Sequence, residues 1–444
     1  MKTFVPAWPR QLLAVVLSLG PLVLVGAQAP VAPVAPQAEL PTADAALVSQ
    51  LSLPPVPPTR AVIAALPQVQ AARAGVAVAQ ARGQRLQAGT YEWNLKAGTQ
   101  QRRETGGTQY TEGEFALERS IRWGNKAQTD RDLGDAGVAA GQLGYADAWH
   151  EAVRGLVKAW YDWQRGRSSA QVQMQQAALA QEQLDVAMRR VRAGDAPRMD
   201  QLMAQAELDR AMAQQQQASG REQVLLQELK KLYPGLVTEG AAAADDAQPE
   251  AVRLPGDPQD WVRRIMEDNH EIELAEAEVR VARLHSQRAE LDTRPDPLLG
   301  VRAARERGGQ ENILGVYVTI PLTGAYRDAE QRATLALLNA AEQRLSLTRQ
   351  RVEAGAQRVV LQAGHHAAVW QRLGAVRQSM DHVARLSIKA YGLGEVTLTE
   401  ALQARRAALE GAMAADAARW DALEAVSRVL VDAHRLWAAE EHGH

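Results

Sequence analysis

A change of hydrophobic period within one stretch, Asn312 to Ala340, constrains the fold of this chain most strongly. Between Leu314 and Leu322, apolar residues alternate with small or polar ones, and this period of two is typical of a strand with one apolar and one polar face. After Thr323-Gly324 the period becomes helical, and a polar, Ala-rich helix continues for a long distance. The chain makes this join between a short amphipathic strand and a very long helix twice, so any fold must accommodate both.

Composition indicates long helices rather than several compact domains. The 444 residues include only two Phe and no Cys, and the chain is rich in Ala, Gln, Arg, Glu and Leu. The formal net charge is −2, and acidic and basic residues are interspersed, which is typical of solvated helical faces. Nothing in this charge distribution indicates a nucleic-acid partner.

The N-terminal residues are typical of an exported protein. Lys2 and Arg10 precede an apolar run, and small residues follow it, so we interpret residues 1–27 as a signal peptide cleaved after Ala27. Residues 28–58 are rich in Pro and Ala and predict an extended, poorly ordered segment. Without Cys, the chain can form no disulfide and carries no lipid on a cysteine. No later segment is long and apolar enough to predict a transmembrane helix.

The rest of the chain reads as two copies of one plan. Residues 59–235 predict a helix (Thr59 to Gln87), a β-hairpin and a long helical hairpin, and residues 259–439 predict the same series. Residues 236–258 form a linker between the copies, and residues 440–444 form a tail. In the first hairpin, Glu92–Thr99 and Glu114–Trp123 are the predicted strands; the final helix is expected to reach about Ala439. The breaks at Gly194 and Gly394 share one sequence frame.

These elements restrict what the chain can build. The four predicted strands have the roughly 9–11 residues and the alternation of a membrane β-strand, yet four strands are too few to close a barrel. Either they form a small soluble sheet, or several chains pool their strands. Helices of roughly 60 residues would span about 90 Å, far more than a bilayer. They must pack against one another. One heptad position supports this, with Asp416 as its exception and otherwise occupied by Leu402, Leu409, Leu423, Leu430 and Trp437.

Four motifs resemble the TolC-type outer membrane efflux protein family. They are the two strand-to-helix joins, FALERSIRWGNKAQ and VYVTIPLTGAYRDAEQRA, and the two helix–turn–helix motifs, VRAGDAPRMDQLMAQAEL and AYGLGEVTLTEALQARRA. The resemblance implies a mainly α fold with a small β part: long antiparallel coiled-coil helices forming a periplasmic tunnel, and four strands per chain in a trimeric, twelve-stranded transmembrane barrel. Three stretches look closest to CzcC-like outer membrane components of heavy-metal efflux pumps: WNLKAGTQQRR, EFALERSIRW and YDWQRGR.

In that family, the helix–turn–helix tips receive the hairpin of a periplasmic adaptor (membrane fusion) protein. The resemblance therefore assigns docking to the exposed tip residues of this chain. They are Gly194, Asp195, Arg198 and Asp200 in the first tip, and Gly394, Glu395, Thr397, Thr399 and Glu400 in the second. The two glycines are expected to reverse the chain at positive φ, and Asp200 and Glu400 have an alternative use at helix N-termini. Pro197 stands where the second tip has Thr397, which argues against identical docking.

Beyond the tips, one acidic residue and several histidines are candidates for function. Asp381 precedes the second tip and is a candidate for an acidic ring at the tunnel aperture, as family members have. The adjacent His365 and His366 point about 100° apart on one helix, and His442 and His444 lie in the tail, so no metal site is predicted. No nucleotide loop, dinucleotide fingerprint, zinc-protease motif or nucleophile elbow occurs, so neither an enzyme nor a cofactor is expected.

The sequence thus predicts a passive outer membrane exit duct of a tripartite efflux pump. Its expected partners are two further copies of the chain, an adaptor, an inner-membrane RND pump and outer membrane lipid of a Gram-negative bacterium. Small solutes, heavy-metal cations among them, are the expected cargo. Two alternatives stay open: a type I secretion duct for polypeptides, and a soluble periplasmic coiled-coil protein resembling an adaptor.

Overall fold

The computed structural model describes residues 47–236, 252–322 and 324–438. The predicted signal peptide, residues 28–46 of the extension, residues 237–251 of the linker and the tail lie outside the described residues. In chain order the elements are α1 (Val56–Ala65), α2 (Pro67–Ala88), β1 (Trp93–Arg103), β2 (Gln109–Ser120), α3 (Lys126–Ala193), α4 (Arg198–Leu232), α5 (Pro258–Glu267), α6 (His270–Asp292), β3 (Leu298–Glu306), a 3-10 turn (Arg307–Gly309), β4 (Glu311–Thr319), α7 (Ala325–Leu393) and α8 (Leu398–Asp432).

Two very long helices organise the described chain. α3 has 68 residues and α7 has 69, so each extends about 100 Å. The shorter helices flank them: α2 and α4 pack along α3, and α6 and α8 pack along α7. Packing of α3 against α6 and α8 joins the two repeats. The predicted plan of helix, hairpin and long helical hairpin is therefore present in both halves, within a mainly α fold that carries one small sheet.

The four strands form one antiparallel sheet in the order β1-β2-β3-β4. β1 and β2 are longer than expected, because their pairing continues through polar residues as far as Arg103 and Gln109. The predicted second strand also ends too late, since Ile121 and Trp123 lie beyond the last strand residue, Ser120.

The single helix expected from Thr59 to Gln87 is wrong. Leu66 is extended, with φ −63° and ψ 137°, and separates α1 from α2. Pro67 explains the break, because proline disfavours helical geometry at the residue before it and suits the first turn of the next helix. Among the described residues, no single helix has the length and apolar character of a membrane span; the pair Pro58–Ala65 and Pro67–Ala88, bent by 64°, meets that test of length and composition jointly.

The main hydrophobic core lies around the middle of α3. Trp160, Tyr161 and Trp163 are buried there against the C-terminal half of α8, the end of α4 and a segment of α7. Residues 47–54 join this core: Leu51 is fully buried, and Tyr161 Oη donates to its carbonyl at 2.7 Å. The expectation of a poorly ordered extension is therefore wrong for this part, because its leucines supply core side chains.

The C-terminal end also differs from the prediction. α8 ends at Asp432 rather than near Ala439, so Trp437 does not continue the heptad. Trp437 is nevertheless buried, and its carbonyl accepts a hydrogen bond from Trp149 Nε1 at 2.8 Å. Of the heptad leucines, Leu402, Leu423 and Leu430 are buried, and Leu409 is half-buried.

Candidate functional site: the two tips and the amphipathic sheet

Both helical hairpins turn through the same backbone geometry. Gly194 has φ +81° and Gly394 has φ +83°, which confirms the prediction of positive φ at these glycines. In each turn, the residue after the glycine donates to a carbonyl five residues back: Asp195 N to Arg190 O and Glu395 N to Ala390 O, both at 2.9 Å. These bonds satisfy helix-end carbonyls in the Schellman pattern, which requires a left-handed residue and therefore favours glycine.

The structure brings the two tips side by side. Tyr391, before the second tip, is 1% exposed, and its hydroxyl donates to Asp200 Oδ2 of the first tip at 3.0 Å. The Arg190 guanidinium lies 4.6 Å from the centre of the Tyr391 ring and donates to the Tyr391 carbonyl. Burial, together with the hydrogen bond to Asp200, raises the pKa of Tyr391 to about 12. Both tips also share a second hydrophobic core, in which Leu398 is 2% exposed.

The helices that leave the two tips begin differently. Thr397 and Glu400 form a reciprocal capping box: Thr397 N donates to Glu400 Oε2 at 2.8 Å, and Glu400 N donates to Thr397 Oγ1. The bond from the Thr397 backbone, followed by one from the Thr397 hydroxyl to Glu400 Oε2 at 2.8 Å, lowers the pKa of Glu400. In the first tip Pro197 provides no side-chain cap, and Asp200 accepts from Tyr391 instead. The predicted alternative use of Glu400 at a helix N-terminus is therefore observed.

The remaining predicted docking residues are exposed at the two tips. They are Asp195 and Arg198 in the first tip, and Glu395, Thr397 and Thr399 in the second. Asp200 is half-buried. The solvent-facing surface of each tip thus carries polar groups beside an exposed apolar side chain, Met199 in the first tip and Leu393 in the second. Tyr391 and Leu398 hold the tips together from within.

Asp381 lies on the exposed surface of α7, thirteen residues before Gly394. At about 1.5 Å per residue this places it roughly 20 Å from the turn. Its carboxylate pairs with Arg385, one helical turn further along. An aperture role for Asp381 stays a prediction, and any such ring would carry the guanidinium of Arg385 beside each carboxylate.

At the opposite end of the hairpins, the sheet has one face covered with exposed apolar side chains. Leu95, Leu117, Val301 and Val316 stand in one row across the four strands. All four are exposed, Leu95 by 72% and Val316 by 85%. Phe115 and Leu314 extend this face one row towards the hairpin turns, and Trp93, Leu299 and Val318 extend it one row towards the helices.

The other face of the sheet is a network of charged and polar groups. Glu118 is largely buried on it, pairs with Lys96 Nζ at 2.8 Å and accepts from the Tyr317 hydroxyl. Tyr317 reaches Glu118 across β3 because Gly300 leaves room for its ring; a Cβ at Gly300 would lie 2.3 Å from that ring. Glu112 accepts from Gln100 at 2.9 Å further along the same face. The sheet is therefore hydrogen-bonded on one side and largely apolar on the other, where Arg119 is exposed in the row of Trp93 and Leu299.

A buried lysine joins the two repeats where strands meet helices. Lys126, 1% exposed at the start of α3, donates to the Arg294 carbonyl at 2.7 Å and to Asp296 Oδ1 at 2.9 Å. Asp296 also accepts from Trp123 N at 2.9 Å and from the Tyr91 hydroxyl at 2.7 Å. This network fixes the direction in which the hairpins leave the helices.

Several contacts that shape the site were not predicted from the sequence. A threonine followed three residues later by glutamate is the signature of the capping box, so Thr397 and Glu400 could have been paired from the sequence. Tyr391 and Arg190 gave no such signal, because their contacts join residues 201 positions apart. Lys126 also gave none, since a lysine at a helix start is usually exposed.

Comparison with known proteins gives a fold relationship without a close sequence relative. No protein-family model matches the chain, and no curated protein matches it. Among solved structures, it resembles the outer membrane protein VceC from Vibrio cholerae, with a TM-score of 0.70 at 15% identity over 89% of this chain and 97% of that one.

Two further structures agree. A membrane protein from Pseudomonas aeruginosa gives a TM-score of 0.69 at 16% identity, over 92% of this chain and 99% of that one. The outer-membrane channel OprN gives 0.68 at 15% identity, over 88% and 93%. The chain therefore has the fold of known outer membrane channel proteins along nearly its whole length.

Proposed function

We propose that this protein is a passive exit duct of the outer membrane, assembled from three copies of the chain and serving a tripartite efflux pump. The observation that carries the proposal is the sheet, which presents a row of exposed apolar side chains on one face and a charged network on the other. It is joined to helices of about 100 Å, long enough to cross an aqueous compartment. The fold shared with outer membrane channels supports the same reading.

The sheet edges explain why several copies are needed. Within the described residues β1 pairs only with β2, and β4 only with β3, so two strand edges keep unpaired backbone groups. Such edges are not viable in lipid, where each unpaired group costs several kcal/mol. If β4 of one copy pairs with β1 of the next, three copies close a twelve-stranded barrel and no edge is left. The apolar rows then face lipid and the Glu118 network faces the bore.

The tips are proposed to dock a periplasmic adaptor, which links the duct to an inner-membrane RND pump. Asp195 and Arg198 in the first tip and Glu395, Thr397 and Thr399 in the second are exposed and free to contact it. Asp381 is proposed to line the narrow part of the bore. Cargo is proposed to be small solutes, heavy-metal cations among them, and the pump supplies the energy because the duct only conducts.

One matched pair of substitutions tests the membrane role of the sheet. Val316→Lys puts a charge on the apolar face, and Gly315→Lys puts the same side chain on the polar face one residue away. Gly315 has open space around its Cβ position and an ordinary φ, so its lysine fits without strain. A lysine facing lipid near the bilayer centre costs about 2–4 kcal/mol. We expect Val316→Lys to reduce the amount of assembled protein in the outer membrane severalfold, with Gly315→Lys close to wild type.

The result that would sink the membrane role is equal assembly of the two lysine variants, since a solvated sheet face tolerates lysine on either side. In that case the alternative of a soluble, adaptor-like periplasmic protein gains support. A polypeptide-secreting duct would give the same result as an efflux duct. The two are separated by measuring whether deletion of the gene increases intracellular solute or traps a secreted protein.

Docking at the tips is tested by site-specific cross-linking. Because the chain contains no cysteine, one introduced thiol is unique. Arg198→Cys and Thr399→Cys are expected to cross-link to the adaptor produced in the same cells. Val224→Cys is the control, because it is 66% exposed on α4 but about 40 Å from Arg198 along that helix. Cross-linking of equal strength at all three positions would contradict docking at the tips.

A further inference from the structure

Three histidines far apart in the sequence meet at one point beside the main core. His150 comes from α3, His270 from the start of α6, and His434 from the segment after α8. The ring centres of His270 and His434 are 4.4 Å apart, those of His150 and His434 4.9 Å, and those of His150 and His270 6.4 Å. None of them belongs to the tips, the sheet or the C-terminal tail.

The ring nitrogens of this cluster lack the partners that buried polar atoms normally have. Nδ1 and Nε2 of His434 are buried without a hydrogen bond, and His150 Nε2 has Asp432 Oδ1 at 3.4 Å without hydrogen-bond geometry. Buried polar atoms are nearly always paired, so the two nitrogens of His434 indicate a missing ligand. His270 differs, because its Nδ1 lies 3.0 Å from Glu273 Oε2. A carboxylate at one ring nitrogen is the usual arrangement when the other nitrogen binds a metal.

The spacing and the space available suit a single metal ion. Zinc bonds to histidine nitrogen at about 2.0–2.1 Å in tetrahedral geometry, which places the ring centres roughly 5 Å apart. The three observed separations bracket that value. A cavity of about 10 Å³ is lined by all three histidines together with Trp149, Val431 and Trp437. This volume is about what one water-sized particle requires.

Carboxylates and guanidinium groups both surround the cluster. His150 Nε2 lies 3.4 Å from Asp432 Oδ1, a separation expected of two ligands on one ion. Asp432 Oδ1 also accepts from Arg154 Nε at 2.8 Å and from Arg428 Nε at 3.0 Å. The neighbouring carboxylates are Asp147, Glu151, Glu271, Glu273 and Asp432, and the arginines beside them are Arg154, Arg428 and Arg435.

We propose that His150, His270 and His434 bind one divalent transition-metal ion of the kind that imidazole prefers, such as Zn²⁺, Co²⁺ or Ni²⁺, with Asp432 beside it. The bound ion ties the C-terminal segment 433–438 to α3 and α6. As the side chains stand, no group of three or more His, Cys, Asp or Glu among the described residues could hold a metal ion. The proposal therefore requires the three rings to turn on binding, into the small void that they line.

Loss of the ion would leave segment 433–438 held by its own packing, in which Leu436 and Trp437 are buried. The ion therefore stabilises the attachment of segment 433–438 and is separate from any cargo of the duct.

The test uses the full mature protein, freed of metal with a chelator and titrated with Co²⁺, whose visible absorption reports tetrahedral nitrogen ligation. All variants carry His442→Ala and His444→Ala, which removes the two tail histidines. We expect one strongly absorbing Co²⁺ per chain. His434→Gln and His270→Gln should each weaken binding by more than the roughly 10–100-fold that the loss of an outer-sphere partner causes. His382→Gln, at an exposed histidine of α7, is the matched control and should change nothing.

Thermal unfolding gives a second readout that does not depend on absorption. Zn²⁺ at 100 times its dissociation constant stabilises a folded state by about 2.7 kcal/mol. It should raise the unfolding midpoint of the parent protein and leave that of His434→Gln unchanged. Far-UV circular dichroism establishes that the variants are folded. If His434→Gln does not fold, His270→Gln takes its place in this experiment. Absence of Co²⁺ absorption, or equal binding by the parent and both cluster variants, would overturn the proposal and leave an adventitious ion only.

Discussion

The two tips have one backbone and two different chemistries. Gly194 and Gly394 turn the chain at nearly the same φ, with the same pattern of carbonyl bonds. Between residues 189 and 200, however, the chain has four arginines and two aspartates, a net charge of +2, whereas between residues 389 and 400 it has one lysine and two glutamates, a net charge of −1. Duplication thus preserved the turn, which geometry dictates, and left the surface free to diverge.

The buried sides of the tips diverge as well. Position 398 is a buried leucine where position 198 is an exposed arginine, and position 397 is a capping threonine where position 197 is a proline. The second tip is therefore anchored by packing and capping, while the first is attached through Arg190 and Asp200 to Tyr391. An adaptor that docks on both tips has to recognise two unlike surfaces.

The largest expected effect comes from the anchoring leucine. Leu398→Ala removes a side chain that is 2% exposed within the core shared by the tips, and such truncations cost about 2–5 kcal/mol. Its equivalent, Arg198→Ala, lies on the surface and should change stability by less than about 0.5 kcal/mol. Thermal unfolding of the two variants in detergent measures the difference. Equal unfolding midpoints for the two variants would contradict the unequal anchoring of the two tips.

A smaller effect is expected at the hydrogen bond between the tips. Tyr391→Phe keeps the ring and removes the hydroxyl that donates to Asp200, and hydrogen bonds to charged groups contribute about 1.5–3 kcal/mol. The half-buried position of Asp200 favours the lower end of that range. Asp200→Asn serves as the partner variant, and a double-mutant cycle of the two isolates their coupling.

The same bond predicts a response to alkaline pH. Tyr391 has a pKa of about 12 in the folded protein and about 10 when unfolded. The folded state thus holds the proton more tightly, so this stabilisation is complete below about pH 10 and is lost as pH rises to about 12. Between about pH 10 and about pH 12, the unfolding midpoint of wild type should fall further than that of Tyr391→Phe. Parallel pH profiles of the two proteins would exclude Tyr391 as the titrating group.

The smallest expected effect concerns capping. Thr397→Ala removes the capping box of α8 and should cost about 1 kcal/mol. Pro197→Ala removes no side-chain cap from α4 and should lie within about 0.5 kcal/mol of wild type. Amide hydrogen exchange in the first turn of each helix gives a local readout. Faster exchange in α4 than in α8 after these substitutions would contradict the assignment.

Local rules predicted much of the architecture. The period-two stretches identified all four strands, the long polar periodic stretches identified α3 and α7, and the glycines of both tips were expected at positive φ. The break at Leu66 also has a local signal in Pro67, and the capping box has one in Thr397 and Glu400.

The rest depends on residues that only the folded chain brings together. Tyr391 meets Asp200 across 191 positions, and His150 meets His434 across 284, so no spacing rule indicates either contact. The absence of a metal site stays a prediction, and the proposed cluster could not be read from the sequence because its three histidines come from distant parts of the chain. The burial of Leu51 likewise follows from packing on Tyr161 rather than from its Pro-rich surroundings.

The most direct test of the account is the state of the mature protein in the cell envelope. Outer and inner membranes and periplasm are separated, and each fraction is run on a denaturing gel with and without heating. The proposed trimeric barrel predicts an outer membrane species near the mass of three chains. It becomes a monomer on heating, because the strands of three copies close one barrel. A monomer in the periplasmic fraction, unchanged by heating, would contradict the exit duct at its central point.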